Sequence, residues 1–227
     1  MTITSDRKCL SCRTSNGIVG IIIQACALGS FALLLVAGCA NPINEATWFR
    51  YTNAGSAEHA RGNLVAAEEA HRRAVINARV GHLGPEKEAI AFHNLALVKR
   101  DLCKLGEAEQ FFRRALELRE KNPETPPGNL TGTIFEFAQL QYEQGQYAGA
   151  ASLIDRVLPL AQKMDAERKA PAAFAHVLAE YADALRKIGR VAEAETNDAR
   201  VKALSAAHEI DMQQKPNTPP FNHPPCR

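Results

Sequence analysis

The chain has 227 residues, a formal net charge of +2 and only 6% aromatic residues. That length leaves room for one or two domains with a sizeable core. A near-neutral charge argues against electrostatic capture of nucleic acid, and abundant alanine with little Val/Ile/Thr alternation predicts helices rather than strands.

Residues 1–17 carry Arg7, Lys8 and Arg13 against Asp6, and a mostly apolar run follows from Ile18 to Val36. A basic leader before an apolar run predicts a secretory signal. The run is also long enough to serve as an uncleaved membrane span. Val36-Ala37-Gly38-Cys39 separates the two readings. Branched, small, small, cysteine resembles the lipobox of bacterial lipoproteins. That resemblance implies a diacylglyceryl group on the Cys39 thiol and cleavage just before it. Small residues at Ala37 and Gly38 suit a peptidase that must approach the backbone closely. Each buried methylene of the lipid would contribute about 0.8 kcal/mol to anchoring.

On this reading residues 1–38 are a signal peptide and 39–47 a lipidated tether. Losing three basic residues and one acidic residue leaves 24 of each, a formally neutral mature chain. Ala40 follows the cysteine, whereas aspartate there marks inner-membrane retention in enteric lipoproteins. The resemblance therefore implies the outer membrane, with the protein facing the periplasm. Cys9, Cys12 and Cys26 leave with the signal, and Cys9-x-x-Cys12 has no second pair to complete a zinc site. Cys103 falls in a helical pattern and is expected to be a small buried side chain. Cys226 falls in a loose tail, and no disulfide framework is implied.

From Trp48 to about Ile210 the chain repeats itself. "GNLVAAEEAHRRAV" (62–75), "CKLGEAEQFFRRAL" (103–116), "GQYAGAASLIDRVL" (145–158) and "GRVAEAETNDARVK" (189–202) align on Ala67, Ala108, Ala150 and Ala194, which are 41, 42 and 44 residues apart. Gly62, Gly145 and Gly189 open three of the segments, and Cys103 opens the fourth. Upstream of each lies a second amphipathic stripe, begun by Tyr51, Phe92, Ile134 and Leu178. It continues through Ala54, Leu95, Phe137 and Tyr181, with Gly55, Ala96, Ala138 and Ala182 directly after. Small residues in matched slots let paired helices approach closely, and the large ones fill the space between. Pro85 and Pro171 sit where following helices would start.

This pattern resembles the tetratricopeptide repeat, and its long period resembles the kinesin-light-chain variety. The resemblance implies an all-α fold: a solenoid of about four helix-turn-helix repeats over residues 48–210, wound as a right-handed superhelix. Residues 211–227, rich in proline, read as a disordered tail.

No enzyme motif is present: there is no phosphate loop, dinucleotide fingerprint, HExxH or G-x-S-x-G. Glu68-x-x-His71 has the spacing of half a di-iron site but lacks a partner, so His71 reads as a polar residue at a loosely packed helix interface. Arg72-Arg73 and Arg113-Arg114 lie beside glutamates at helix-surface ion-pair spacings. No metal, cofactor or small-molecule substrate is expected beyond the covalent lipid.

In the tetratricopeptide family the first helices line a groove that holds a partner peptide or helix. Carried over slot by slot, the groove takes Phe49, Thr52, Ser56 and His59 from the first unit, and His93, Leu97 and Arg100 from the second. Phe135, Gln139 and Tyr142 come from the third, Asp183, Arg186 and Lys187 from the fourth. Aromatic and arginine side chains of this kind anchor binding hot spots. The family's carboxylate-clamp slots hold Thr52, Ser56, Gly132 and Glu136, with only Asn94 matching, so no such clamp is expected. The expectation is a non-enzymatic envelope scaffold that binds other proteins and reaches the membrane through its lipid. A pilotin-type chaperone for a secretin or type IV pilus is the more specific alternative, and an enzyme or cofactor binder the more distant one.

Overall fold

The computed structural model describes residues 42–210, Met212 and Cys226. Residues Ala40–Arg227 form one compact unit, separate from Met1–Cys39. The leader, the apolar run and Cys39 lie outside the described residues. Among the described residues no helix is long and apolar enough to cross a membrane.

The helices are α1 (Pro42–Ala60), α2 (Leu64–Val80), α3 (Pro85–Asp101), α4 (Leu105–Lys121), α5 (Pro127–Glu143), α6 (Tyr147–Lys163), the short α7 (Ala166–Lys169), α8 (Pro171–Lys187) and α9 (Val191–His208). They pair as α1/α2, α3/α4, α5/α6 and α8/α9, and α7 interrupts the third connection. Proline at the first position starts α3, α5 and α8, where its missing N–H has no helical partner to lose. Proline also opens α1, so residues 42–47 are helical rather than a tether.

The turn inside each pair needs one residue in the left-handed region. Gly62, Gly145 and Gly189 take it at φ of 78°, 74° and 80°. Cys103 takes the same slot at φ 58° despite its Cβ, a conformation that costs a side-chain-bearing residue about 1–2 kcal/mol. Its role explains the choice. Cys103 is exposed and forms a disulfide with Cys226, 123 residues away, with a Cα–Cα distance of 5.4 Å. This corrects both expectations for these cysteines: Cys103 is no core hydrophobe, and Cys226 is not a loose thiol. A crosslink over such a separation leaves no trace in local sequence pattern.

The crosslink limits the freedom of the unfolded chain over 123 residues, which stabilises a fold by about 2–4 kcal/mol. Reduction should therefore lower the unfolding free energy measured in urea by that amount. A Cys103→Gly variant should recover about 1 kcal/mol relative to Cys103→Ser by relieving the left-handed turn. Identical midpoints with and without reductant would contradict the crosslink.

The repeat alanines Ala67, Ala108, Ala150 and Ala194 are each 0% exposed. They admit the bulky side chains of the facing helix, so that Phe112, Phe137, Ile154 and Tyr181 share one continuous core cluster across the second to fourth pairs. In the first pair the small residue is Gly55, and His71 packs directly onto it. A Cβ at Gly55 would lie 2.6–2.7 Å from three ring atoms of His71, and His71 is 1% exposed. The His71 interface is thus tight, not loose as its polarity suggests.

Polar side chains also pin one repeat to the next. Lys99 bonds Glu68 at 2.8 Å and Glu107 at 2.5 Å. Arg119 reaches Glu86 at 3.2 Å and the Asn129 carbonyl at 2.9 Å, and also donates to Thr133. Of the glutamates expected beside the arginine pairs of α2 and α4, Glu69 and Glu109 form the surface ion pairs, Arg114 takes Glu117, and Glu68 and Glu107 go to lysines instead.

Candidate functional site

First helices touch successive first helices, α1 to α3 and α3 to α5. They form the inner face of the stack, and the repeat period sets their side chains in rows. Ser56, Leu97, Gln139 and Asp183 occupy one row, and His59, Arg100, Tyr142 and Arg186 the next. Asn53, Asn94, Glu136 and Glu180 flank the rows on one side, Asp101 and Glu143 on the other.

Hydrogen bonds stitch these rows together at about one repeat's separation. His59 Nε2 meets Asp101 at 2.5 Å, and Arg100 donates to Glu136 at 2.9 Å. Gln139 Nε2 donates to both oxygens of Glu180, at 2.9 and 3.0 Å. Tyr142 donates to Asp183, and Arg186 reaches back to Asp198 on α9. The face carries more acid than base: Asp101, Glu136, Glu143, Glu180 and Asp183 against Arg100, Arg186 and Lys187.

Burial governs how these carboxyl groups titrate. Burial pushes Glu136 and Glu143 above the usual carboxylate range, with Arg100 opposing in each case. Burial raises Glu180 to about 7, against the hydrogen bond from Gln139. Tyr142 is raised to about 12 by burial and by its bond to Asp183. A cation arriving on this face would draw these buried carboxyls back towards their charged form.

The expected groove residues divide into four groups. His59, Arg100, Gln139, Tyr142, Asp183 and Arg186 come together in the bonded rows. Leu97 and Phe135 pack against the core cluster. His93 is drawn between helices: its Nδ1 lies 3.2 Å from Thr133 Oγ1 and its ring sits edge-on to Phe112. Burial, reinforced by Arg119 and Arg100, lowers its pKa to about 3. Phe49 does not join the rows. It is 58% exposed, in a slot that one repeat later holds Ile90, packed back against the preceding pair. Nothing among the described residues precedes the first pair to cover it. Sequence slots did not reveal Glu180, Glu143 and Asp101 as part of the face, because their neighbours belong to other repeats. Among the described residues no group of three or more His, Cys, Asp or Glu is placed to hold a metal ion.

This is the geometry of a helical-repeat binding scaffold, and the comparisons agree. Residues 46–121 match the tetratricopeptide repeat family model. The structure is similar to the BtubC (BKLC) protein from P. vanneervenii, with a TM-score of 0.69 and 20% identity, covering 88% of this chain and 78% of that one. It is also similar to a Podosopora anserina protein described as a kinesin light chain with nearly identical TPR-like repeats, with a TM-score of 0.60, 19% identity, and 85% and 91% of the two chains covered. A comparison with curated proteins finds no match. Residues 46–121 carry the tetratricopeptide repeat pattern, and the chain shares the helical-repeat fold of these solved structures. Such repeats are protein-interaction scaffolds.

Proposed function

We propose that the protein is a lipid-anchored scaffold of the bacterial cell envelope, held through Cys39 at the outer membrane and facing the periplasm. Its inner helix face takes a lysine- or arginine-bearing segment of an envelope protein. The observation that carries the binding half is the excess of acidic over basic side chains along the bonded rows, Asp101, Glu136, Glu143, Glu180 and Asp183 against Arg100, Arg186 and Lys187. The anchoring half rests on Val36-Ala37-Gly38-Cys39 after its apolar run, three residues before α1 begins. The Cys103–Cys226 disulfide is in keeping with an oxidising compartment outside the cytosol.

Cys39→Ala should abolish palmitate labelling and leave the signal uncleaved. The apolar run would keep the variant at the membrane, so attachment alone is no test. Normal palmitate labelling in that variant would refute the lipid anchor. Cross-linking in intact envelopes should capture a partner, and a secretin as that partner would specialise the role to a pilotin.

A further inference from the structure

The solenoid's outer face differs between repeats at three matched slots of the second helices. Val65, Ile76 and Val80 fall on one stripe of α2, opposite its buried alanines, and are 78%, 46% and 66% exposed. One repeat later the same slots hold Gly106, Glu117 and Lys121 on α4. They hold Ala148, Pro159 and Lys163 on α6, and Ala192, Ala203 and Ala207 on α9. Only the first pair spends branched aliphatic side chains there. Exposed branched residues cost solubility and return nothing to the core, so a stripe of them marks a surface that meets something.

The stripe's position says what. Gly81, directly after Val80, packs against Asn44 of α1, so the Ile76–Val80 end lies beside the start of α1. Ile43 is there too, 73% exposed. Only Ala40 and Asn41 separate Cys39 from Pro42, and the three Cα–Cα steps between them reach at most about 11 Å. A lipid on Cys39 therefore brings this end of the first pair to the bilayer surface. Exposed Arg79 adjoins Val80 in the chain, Glu45 near Ile43 is paired with Lys87, and Arg72 and Arg73 share Glu69 farther along α2. Aliphatic side chains bordered by arginine fit an interface of acyl chains and anionic headgroups.

We infer that Ile43, Ile76 and Val80, with Arg79 beside them, dock the first helix pair onto an anionic bilayer and so orient the solenoid on the membrane. This inference builds on the lipid-anchor reading, but its surface can be tested without the lipid. Residues 40–227, the compact unit, should co-sediment with phosphatidylethanolamine/phosphatidylglycerol (3:1) vesicles and only weakly with phosphatidylcholine vesicles. Ile76→Glu/Val80→Glu should reduce the bound fraction at least tenfold at unchanged helical circular dichroism. The slot-matched Ala203→Glu/Ala207→Glu pair at the far end should bind like the parent. No vesicle binding by the parent, equal binding by both double variants, or concentration-dependent dimers lost in Ile76→Glu/Val80→Glu without vesicle binding would each overturn the docking surface. If Cys39 fails to take acyl label while vesicle binding persists, the anchor reading falls and the docking surface stands.

Discussion

Gly55→Ala is expected to destabilise the protein by about 2 kcal/mol, although alanine is the better helix former. In an open helix the change would stabilise by up to about 1 kcal/mol. Here the new Cβ would sit 2.6–2.7 Å from three atoms of a His71 ring that has no room to move, and overpacking of this kind costs about 1–3 kcal/mol. The sign should reverse when the ring is removed. In a His71→Ala background the same Gly55→Ala change should be neutral or stabilising, giving a coupling of about 3 kcal/mol between the two positions. Urea unfolding of the four proteins in the cycle measures it. Additive effects would mean that the first helix pair does not close on this contact.

His71 also makes stability depend on pH. Burial, with His59 adding to it, pushes its pKa down to about 4 from an ordinary 6.5. Between those values the unfolded chain binds one proton more than the folded one. The contribution is therefore fully present above pH 6.5 and is lost as pH falls towards 4, in all about 3 kcal/mol. Glu180 acts in the opposite direction: raised to about 7, it favours the folded state as pH falls through neutrality. Comparing the parent with His71→Asn isolates the histidine. The variant's stability should fall less steeply with acid, by about 1.4 kcal/mol per pH unit between pH 6.5 and 4. Parallel pH profiles would show that the ring is protonated, or free to be, in the folded protein.

The repeat was legible because it is local. Four alanines spaced by about one unit, glycines at the turns and prolines at helix starts each act within a few residues, and all of them took the predicted places. What escaped depends on juxtapositions between units. Cys103 imitates a turn glycine in its backbone, and only the return of Cys226 explains why a cysteine stands there. The polarity of His71 suggested slack packing, whereas the missing side chain at Gly55 makes its space. Phe49 fits a groove slot in isolation but occupies the position at which Ile90 of the next repeat packs backwards. The acid-rich face escaped too: Glu136 and Asp183 fell on groove slots, but Asp101, Glu143 and Glu180 join them only through the stacking of neighbouring repeats.

The scaffold's central claim is that the inner face, with its surplus of carboxylates, holds a basic segment of an envelope protein. The direct measurement places a photo-cross-linking residue at Ser56, on the inner row, and separately at Arg113, on the outside of α4, in cells carrying the full chain. The inner position should capture a defined envelope protein through a lysine- or arginine-bearing peptide, and Glu180→Arg/Asp183→Arg should abolish that product while the protein stays folded. Equal capture from both positions, or a product that survives the charge reversal, would contradict it.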